Sequence, residues 1–120
     1  MRLITGGAFQ GKVRYAQEKY GISDAETADA SLATGQELEQ AALVCHLQEY
    51  IRRHHQGNQC SLPRFREDAV IICDEVGCGV IPLSREERAF REATGRICCQ
   101  LAEKAESVEL VRCGIVRRLK

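Results

Sequence analysis

Gly6, Gly11 and Lys12 stand at the spacing Gly-x4-Gly-Lys, which is that of the Walker A phosphate-binding loop. Glycines let a backbone wrap closely around a phosphate so that successive N–H groups point inward. A helix starting near Lys12 adds its N-terminal end to the same anion, and the lysine reaches the outer phosphates as a mobile point charge. The candidate cradle is Gly6, Gly7, Ala8, Phe9, Gln10, Gly11, Lys12 and Val13. The residue after the lysine is ordinarily Ser or Thr, whose hydroxyl ligates Mg²⁺. Val13 has no such oxygen, so the pattern favours phosphate binding over catalysis. An ordinary strand–helix turn is the alternative, and Phe9 and Gln10 are bulkier than a phosphate loop needs.

Ile71-Ile72-Cys73-Asp74-Glu75 has the form of a buried strand ending in acids. At the carboxyl end of such a strand an acid faces the ligand edge of an α/β sheet. Asp74 there could hold Mg²⁺ through water, and Glu75 could orient a nucleophile. Acids at strand ends also serve as turn formers or helix caps, and the residues alone leave both readings open. His46 lies beside Cys45 near an apolar stripe and reads as structural or solvated, with a reactive ring as the alternative. His54 and His55 end a helix, where partial protonation is favourable. No Ser-His-Asp arrangement can be argued.

The elements that must position these residues follow from the pattern. Arg2–Thr5 reads as a strand, and Val13, Ala16 and Tyr20 recur at helical spacing up to a closing Gly21. Residues 22–34 read as a loop, with a surface helical turn over 24–29. Thr34, with Glu37 three residues on, caps a long helix predicted over 35–55, in which Glu49 and Arg53 pair at i,i+4. Residues 56–68 are a polar connection. Ala69–Cys73 is an unbroken apolar run, suited to a strand buried on both faces. Residues 76–82 are a glycine- and proline-bearing loop. Ser84 and Glu87 cap a helix over 85–92, which Thr94-Gly95 bends or breaks before a second stretch over 96–105. Val108–Cys113 alternates, placing Glu109 and Arg112 at an edge or half-exposed position, and residues 115–120 form a last edge strand. The expectation is an α/β domain with about four strands, three or four helices and parallel crossovers. A sheet this narrow would gain from pairing with a second copy.

The bulk properties bound the reading. The chain has 120 residues, 44 % hydrophobic and 28 % charged, with 17 basic against 17 acidic side chains. That is room for one core and one domain. The balance asks for neither nucleic acid nor an anionic membrane as partner. The basic clusters Arg52-Arg53-His54-His55 and Arg117-Arg118-Leu119-Lys120 read as a solvated helix end and a solvated tail. No run approaches the ~20 apolar residues of a membrane span, and the start lacks a signal-peptide core, which points to the cytoplasm. The seven cysteines fit free thiols of a reducing compartment. Cys45, Cys98 and Cys99 are placed in helices, with Cys73 and Cys113 in strands. Neither Cys73-x4-Cys78 nor Cys98-Cys99 has a zinc-site spacing.

Several separated motifs together resemble one family. Thr5-Gly6-Gly7-Ala8-x-x-Gly11-Lys12 resembles the opening of the adenosylcobinamide kinase / adenosylcobinamide-phosphate guanylyltransferase family of cobalamin biosynthesis. Asp74-Glu75-Val76-Gly77-x-Gly79-Val80-Ile81-Pro82 is similar to its Asn-Glu-Val-Gly-x-Gly-Ile-Val-Pro segment. Arg88, Phe90, Gly95, Arg96, Gln100, Ala102 and Ala105 fall where its following helix expects them. Val108-Glu109-Leu110-Val111-x-Cys113-Gly114 and Leu119-Lys120 resemble its close. The resemblance covers residues 1–21 and 70–120.

It implies a small P-loop NTPase-like (RecA-like) three-layer α/β domain with a reduced, mostly parallel sheet. It also implies GTP or ATP with Mg²⁺, and cobinamide or another corrinoid as partner. Lys12 would clamp the transferring phosphate, Asp74 would hold the metal and Glu75 would stand near the nucleophile. The departures are specific. The family's segment bearing the GMP-carrying histidine cannot be placed, and its acid-containing middle strand is not found. His46 lacks a histidine–arginine–proline context and is not given that role. The expectation is a cobinamide kinase-like nucleotide-binding protein without guanylyl transfer. The alternative is a non-catalytic protein that binds a corrinoid or a partner subunit.

Overall fold

The computed structural model describes residues 1–8, 10–76 and 84–120. Phe9 and the whole Gly77–Pro82 part of the loop motif, with Cys78, lie outside them. The strands are β1 (Arg2–Gly6), β2 (Thr27–Asp29), β3 (Leu43–Cys45), β4 (Val70–Asp74), β5 (Ser107–Arg112) and β6 (Ile115–Arg118). The helices are α1 (Lys12–Tyr20), α2 (Gly35–Gln40), α3 (Leu47–His54) and α4 (Arg85–Lys104), with a 3₁₀ turn at Asp24–Glu26. The sheet order is β2-β3-β4-β1-β5-β6. All neighbours are parallel except β5 and β6, which pair antiparallel. The protein is thus a small mixed α/β domain with a largely parallel sheet.

Alternation along the strands assigns the two faces. Leu3, Val44, Ile71, Cys73 and Val108 point to the side covered by α3 and α4, where Leu47, Ile51, Phe90, Ile97 and Leu101 meet them. Ile4, Leu43, Val70, Ile72 and Val111 point to the other side, against Ala16 of α1. Burying each large aliphatic side chain contributes on the order of 1.5–3 kcal/mol, so both faces of the central strands hold the sheet in place.

The structure corrects the sequence reading at several elements. The helix expected over 35–55 is two helices with a strand between them. Ala41–Cys45 are all buried, and a helical stripe buries only one side of such a run. A strand inside a parallel sheet buries both, and that requirement wins. The loop expected over 22–34 contains β2 after its 3₁₀ turn, so the strand count is six rather than four. Cys45 therefore sits in a strand, while Cys99 and Cys113 are exposed free thiols.

The expected break at Thr94-Gly95 does not occur. α4 runs unbroken, with the Thr94 hydroxyl bonded to the Phe90 carbonyl at 2.9 Å. Glu49 and Arg53 do not pair; Arg53 instead donates to the carbonyls of Ala30 and Ala33. Arg52 bonds Glu87 at 2.8 Å and lies over the Phe90 ring, so this helix end, exposed at Arg52, Arg53 and His54 as expected, also ties α3 to α4. The predicted caps at Thr34, Ser84 and Gly21 are present. Among the described residues no helix is long and apolar enough to cross a membrane.

Candidate functional site

β1 and β4 are register partners, and Gly6 stands opposite Asp74 at their carboxyl ends. The chain leaves β1 through α1 on one face and leaves β4 through α4 on the other. The crevice between two such strands is where open α/β sheets receive ligands. A cavity of about 480 Å³ opens there, lined in part by Gly11, Lys12, Asp29, His46, Gln48 and Asp74.

Lys12 is 5 % exposed, and its Nζ lies 2.8 Å from Asp74 Oδ1. It also donates to the Gly7 carbonyl. Asp74 is fixed from a second direction by Gln48, whose Nε2 donates to Oδ2 at 3.2 Å while its Oε1 accepts from the Asp74 N–H at 3.0 Å. Gln48 is buried in the first turn of α3. The sequence reading missed it because the position lay deep inside a supposed long helix.

The glycines of the loop do different work. Gly6 has φ +145°, and a Cβ there would lie 2.2 Å from the Val111 carbonyl oxygen of β5. This glycine is demanded by strand packing, whatever the loop binds. Gly11 has φ +84° and caps α1 with open space around it. The first turn of α1 has no acidic residue and no side-chain cap, so the helix supplies no anion of its own to its first N–H groups. Gln10 is explained by bracing: its carbonyl accepts from Gly114 N–H, and its side chain accepts from Cys113 N–H, tying the loop to the β5–β6 turn.

Glu75 is set apart from this pair. Its N–H bonds the Gly6 carbonyl at 2.9 Å, and the residue lines a second, more apolar cavity of about 390 Å³ with Val76, Arg91, Cys98 and Ala102 on the α4 side. The structure brings Lys12, Gly11, Val13 and Asp74 around one cavity and puts Glu75 in the wall of another, which Asp74 also borders.

At the far end of the same sheet edge, Asp29 of β2 stands opposite Cys45 of β3. Asp29 accepts from the Ser31 N–H and hydroxyl at 2.9 and 2.7 Å. Burial acts to raise its carboxyl, but these bonds outweigh it and hold the group below the usual carboxylate range. Burial, then the Asp29 charge, push the Cys45 thiol up to about 11. His46 follows with φ +57°. Neither Asp29 nor Cys45 was singled out from the sequence as a site residue, because the strands that bring them together were not seen.

Comparison with known proteins bears on the whole arrangement. The model of the cobinamide kinase / cobinamide phosphate guanyltransferase family matches residues 42–119, which is more than half of the chain and includes β3 and α3. The resemblance noted in the sequence had left those elements out. The bifunctional adenosylcobalamin biosynthesis protein CobU of Escherichia coli (strain K12) is 35 % identical over 74 residues, 62 % of this chain and 41 % of that protein. The protein of the same description from Salmonella typhimurium (strain LT2) is 41 % identical over 51 residues, 42 % of this chain and 28 % of that protein. The matches therefore span less than half the length of these relatives. By the extent of the family match, the chain belongs to the cobinamide kinase / cobinamide phosphate guanyltransferase family.

Proposed function

We propose that this chain is a nucleotide-binding member of the family, related to its kinase step and without guanylyl transfer. The observation that carries the reading is the Lys12–Asp74 pair at 2.8 Å, in a cavity at the carboxyl ends of β1 and β4. A lysine stored against a carboxylate, beside an uncapped helix start, can exchange that partner for the outer phosphates of GTP or ATP. The backbone of residues 6–13 is then the phosphate cradle of a P-loop, RecA-like domain formed by residues 1–120.

Mg²⁺ fits this site through Asp74, with nucleotide phosphates and waters completing its shell. Mg²⁺ commonly takes one or two carboxylates and keeps several waters, and release of Lys12 frees Asp74 Oδ1. Bound there, the ion would neutralise charge on the transferring phosphate. Val13 supplies no oxygen, so the chain's own contributions are Lys12 on the phosphate, Gln48 holding the Asp74 carboxylate in place, and the α1 N-terminus. Cobinamide is the acceptor suggested by the names of the relatives. Glu75, across β4 from the cavity, is the candidate near its hydroxyl. The reading leaves out guanylyl transfer because the segment bearing the family's GMP-carrying histidine has no counterpart in this sequence; the ring of His54 lies against Tyr50, His55 Nδ1 is bonded to the Gly57 carbonyl, and His46 lies 3.4 Å from Asp29.

Calorimetric titration with GTP and ATP, with and without Mg²⁺, tests the reading, with Lys12→Ala as control. Micromolar binding lost in K12A supports it, and phosphorylation of cobinamide would then establish the kinase step. No binding of either nucleotide overturns it. Binding without phosphorylation selects the second reading, a non-catalytic binding protein, which the two occupied oxygens of Asp74 favour.

A further inference from the structure

The ends of β2 and β3 hold three side chains of unlike chemistry that no part of the nucleotide reading uses. One ligand atom each from Asp29, Cys45 and His46 lies within 4.8 Å of the others. Asp29 and Cys45 face each other across the sheet register. His46 is adjacent to Cys45 in sequence, and in an extended strand adjacent side chains point to opposite faces. The left-handed turn at His46, φ +57°, is what returns the ring to the side of its neighbour. Non-glycine residues seldom adopt this conformation, and it is strained unless the surroundings require it.

Two further features single out the ring. His46 Nδ1 is buried and makes no hydrogen bond among the described residues. It lies 3.4 Å from Asp29 Oδ1 without the geometry of a bond. The residue also begins α3 without capping it through its side chain, so helix capping does not explain the choice of histidine. Asn or Gly would serve the backbone as well.

We propose that Asp29, Cys45 and His46 form a binding site for a thiophilic divalent cation of the Zn²⁺ class. Sulfur, imidazole nitrogen and one carboxylate oxygen are the donor types that borderline-soft ions take, and hard ions such as Mg²⁺ avoid such a mixture. Bond lengths of about 2.0–2.3 Å place tetrahedral ligands on the order of 3.3–3.8 Å apart. The trio therefore closes on an ion by about 1 Å of side-chain rotation. Three protein ligands leave a fourth position, and because Asp29 and His46 also line the Lys12 cavity, that position faces the cavity. The site does not depend on nucleotide binding.

The test is titration of the full chain, reduced with a phosphine, with Co²⁺ alone as the spectroscopic stand-in for Zn²⁺. The expected result is one Co²⁺ per chain, with thiolate-to-cobalt absorption in the near ultraviolet and tetrahedral bands in the visible. Cys45→Ser should abolish the ultraviolet band. Cys45 is buried and that variant could unfold, so His46→Gly provides the second arm. Glycine accepts φ +57° without strain, and H46G should keep or raise the melting temperature. It should weaken Co²⁺ binding by at least the about tenfold that even an outer partner of a metal site is worth. No binding, equal affinity in H46G, or an ultraviolet band that survives in a folded C45S protein would each overturn the proposal. The last outcome would assign the ion to one of the other thiols.

Discussion

Two lysines of α1, Lys12 and Lys19, lie two helical turns apart and each meets an acid from a strand beneath. Lys12 pairs with Asp74 of β4 at 2.8 Å, and Lys19 pairs with Glu109 of β5 at 3.0 Å. Their surroundings differ. Glu109 is 4 % exposed, and Tyr15, Tyr20 and Lys19 all donate to its carboxylate. Asp74 has Lys12 and Gln48, beside an open cavity. A buried acid with three donors from a single helix fastens that helix to the sheet. An acid whose cation can turn to another anion, in a space large enough to hold one, is poised for exchange. Under the proposed function, similar pairs on one helix thus divide into an anchor and a site.

The strand between the two pairs gives the most severe test. β1 lies between β4 and β5, and a Cβ at Gly6 would collide with Val111 of β5. Backbone must shift to admit it, at a φ that alanine resists. Gly6→Ala should destabilise the protein by about 3 kcal/mol or more, read as the midpoint of urea unfolding, and should weaken both corners together. Lys12→Ala separates them. It should lower nucleotide affinity by roughly ten- to a hundredfold, the worth of a hydrogen bond to a charged group, and leave the Glu109 corner intact. Glu109→Ala should do the reverse. It leaves two tyrosine hydroxyls and a half-exposed ammonium without their acceptor, for a loss of about 2–3 kcal/mol in stability and no change in nucleotide affinity. If E109A weakened nucleotide binding as much as K12A, the division into anchor and site would fail.

The difference between the pairs was only half legible in the sequence. The Lys12 corner could be read because its signals are local: a glycine spacing, an acid after an apolar run, and a strand on either side. Glu109 was misplaced at an edge, because alternation in Val108–Arg112 says which residues share a face and not how many strands flank them. β5 is an inner strand between β1 and β6, so the face that would have been wet is covered by α1 and its tyrosines. Gln48 and the Asp29–Cys45–His46 group were lost with β3. Ala41–Cys45 is short, apolar and without β-breaking residues, and such a run fits a buried helix segment as well as a strand. The two glycines of α4 and the loop show the same limit. A Cβ at Gly95 would meet nothing within 4 Å, so packing does not require glycine there, while Gly6 is fixed by a carbonyl 105 residues away in sequence.

The smallest expected effect is a change of slope with pH, and it isolates the anchor. Burial acts to raise the Glu109 carboxyl, but the donors Tyr15, Tyr20 and Lys19 prevail and hold it below the ordinary range. A group depressed in the folded state binds fewer protons there than in the unfolded chain, so its stabilisation is complete above the unfolded value of about 4.3. It is lost as pH falls through the folded value. Glu26, Asp29, Asp68 and Glu87 are depressed as well, so the acid limb of the native protein is a sum. Glu109→Gln keeps the shape and removes one titration. Urea midpoints measured from pH 7 down to pH 3 should fall less steeply for E109Q than for the native chain, with the two curves converging at the acid end. A parallel offset across the whole range would mean that Glu109 contributes packing alone and that its charge does not hold α1 to the sheet.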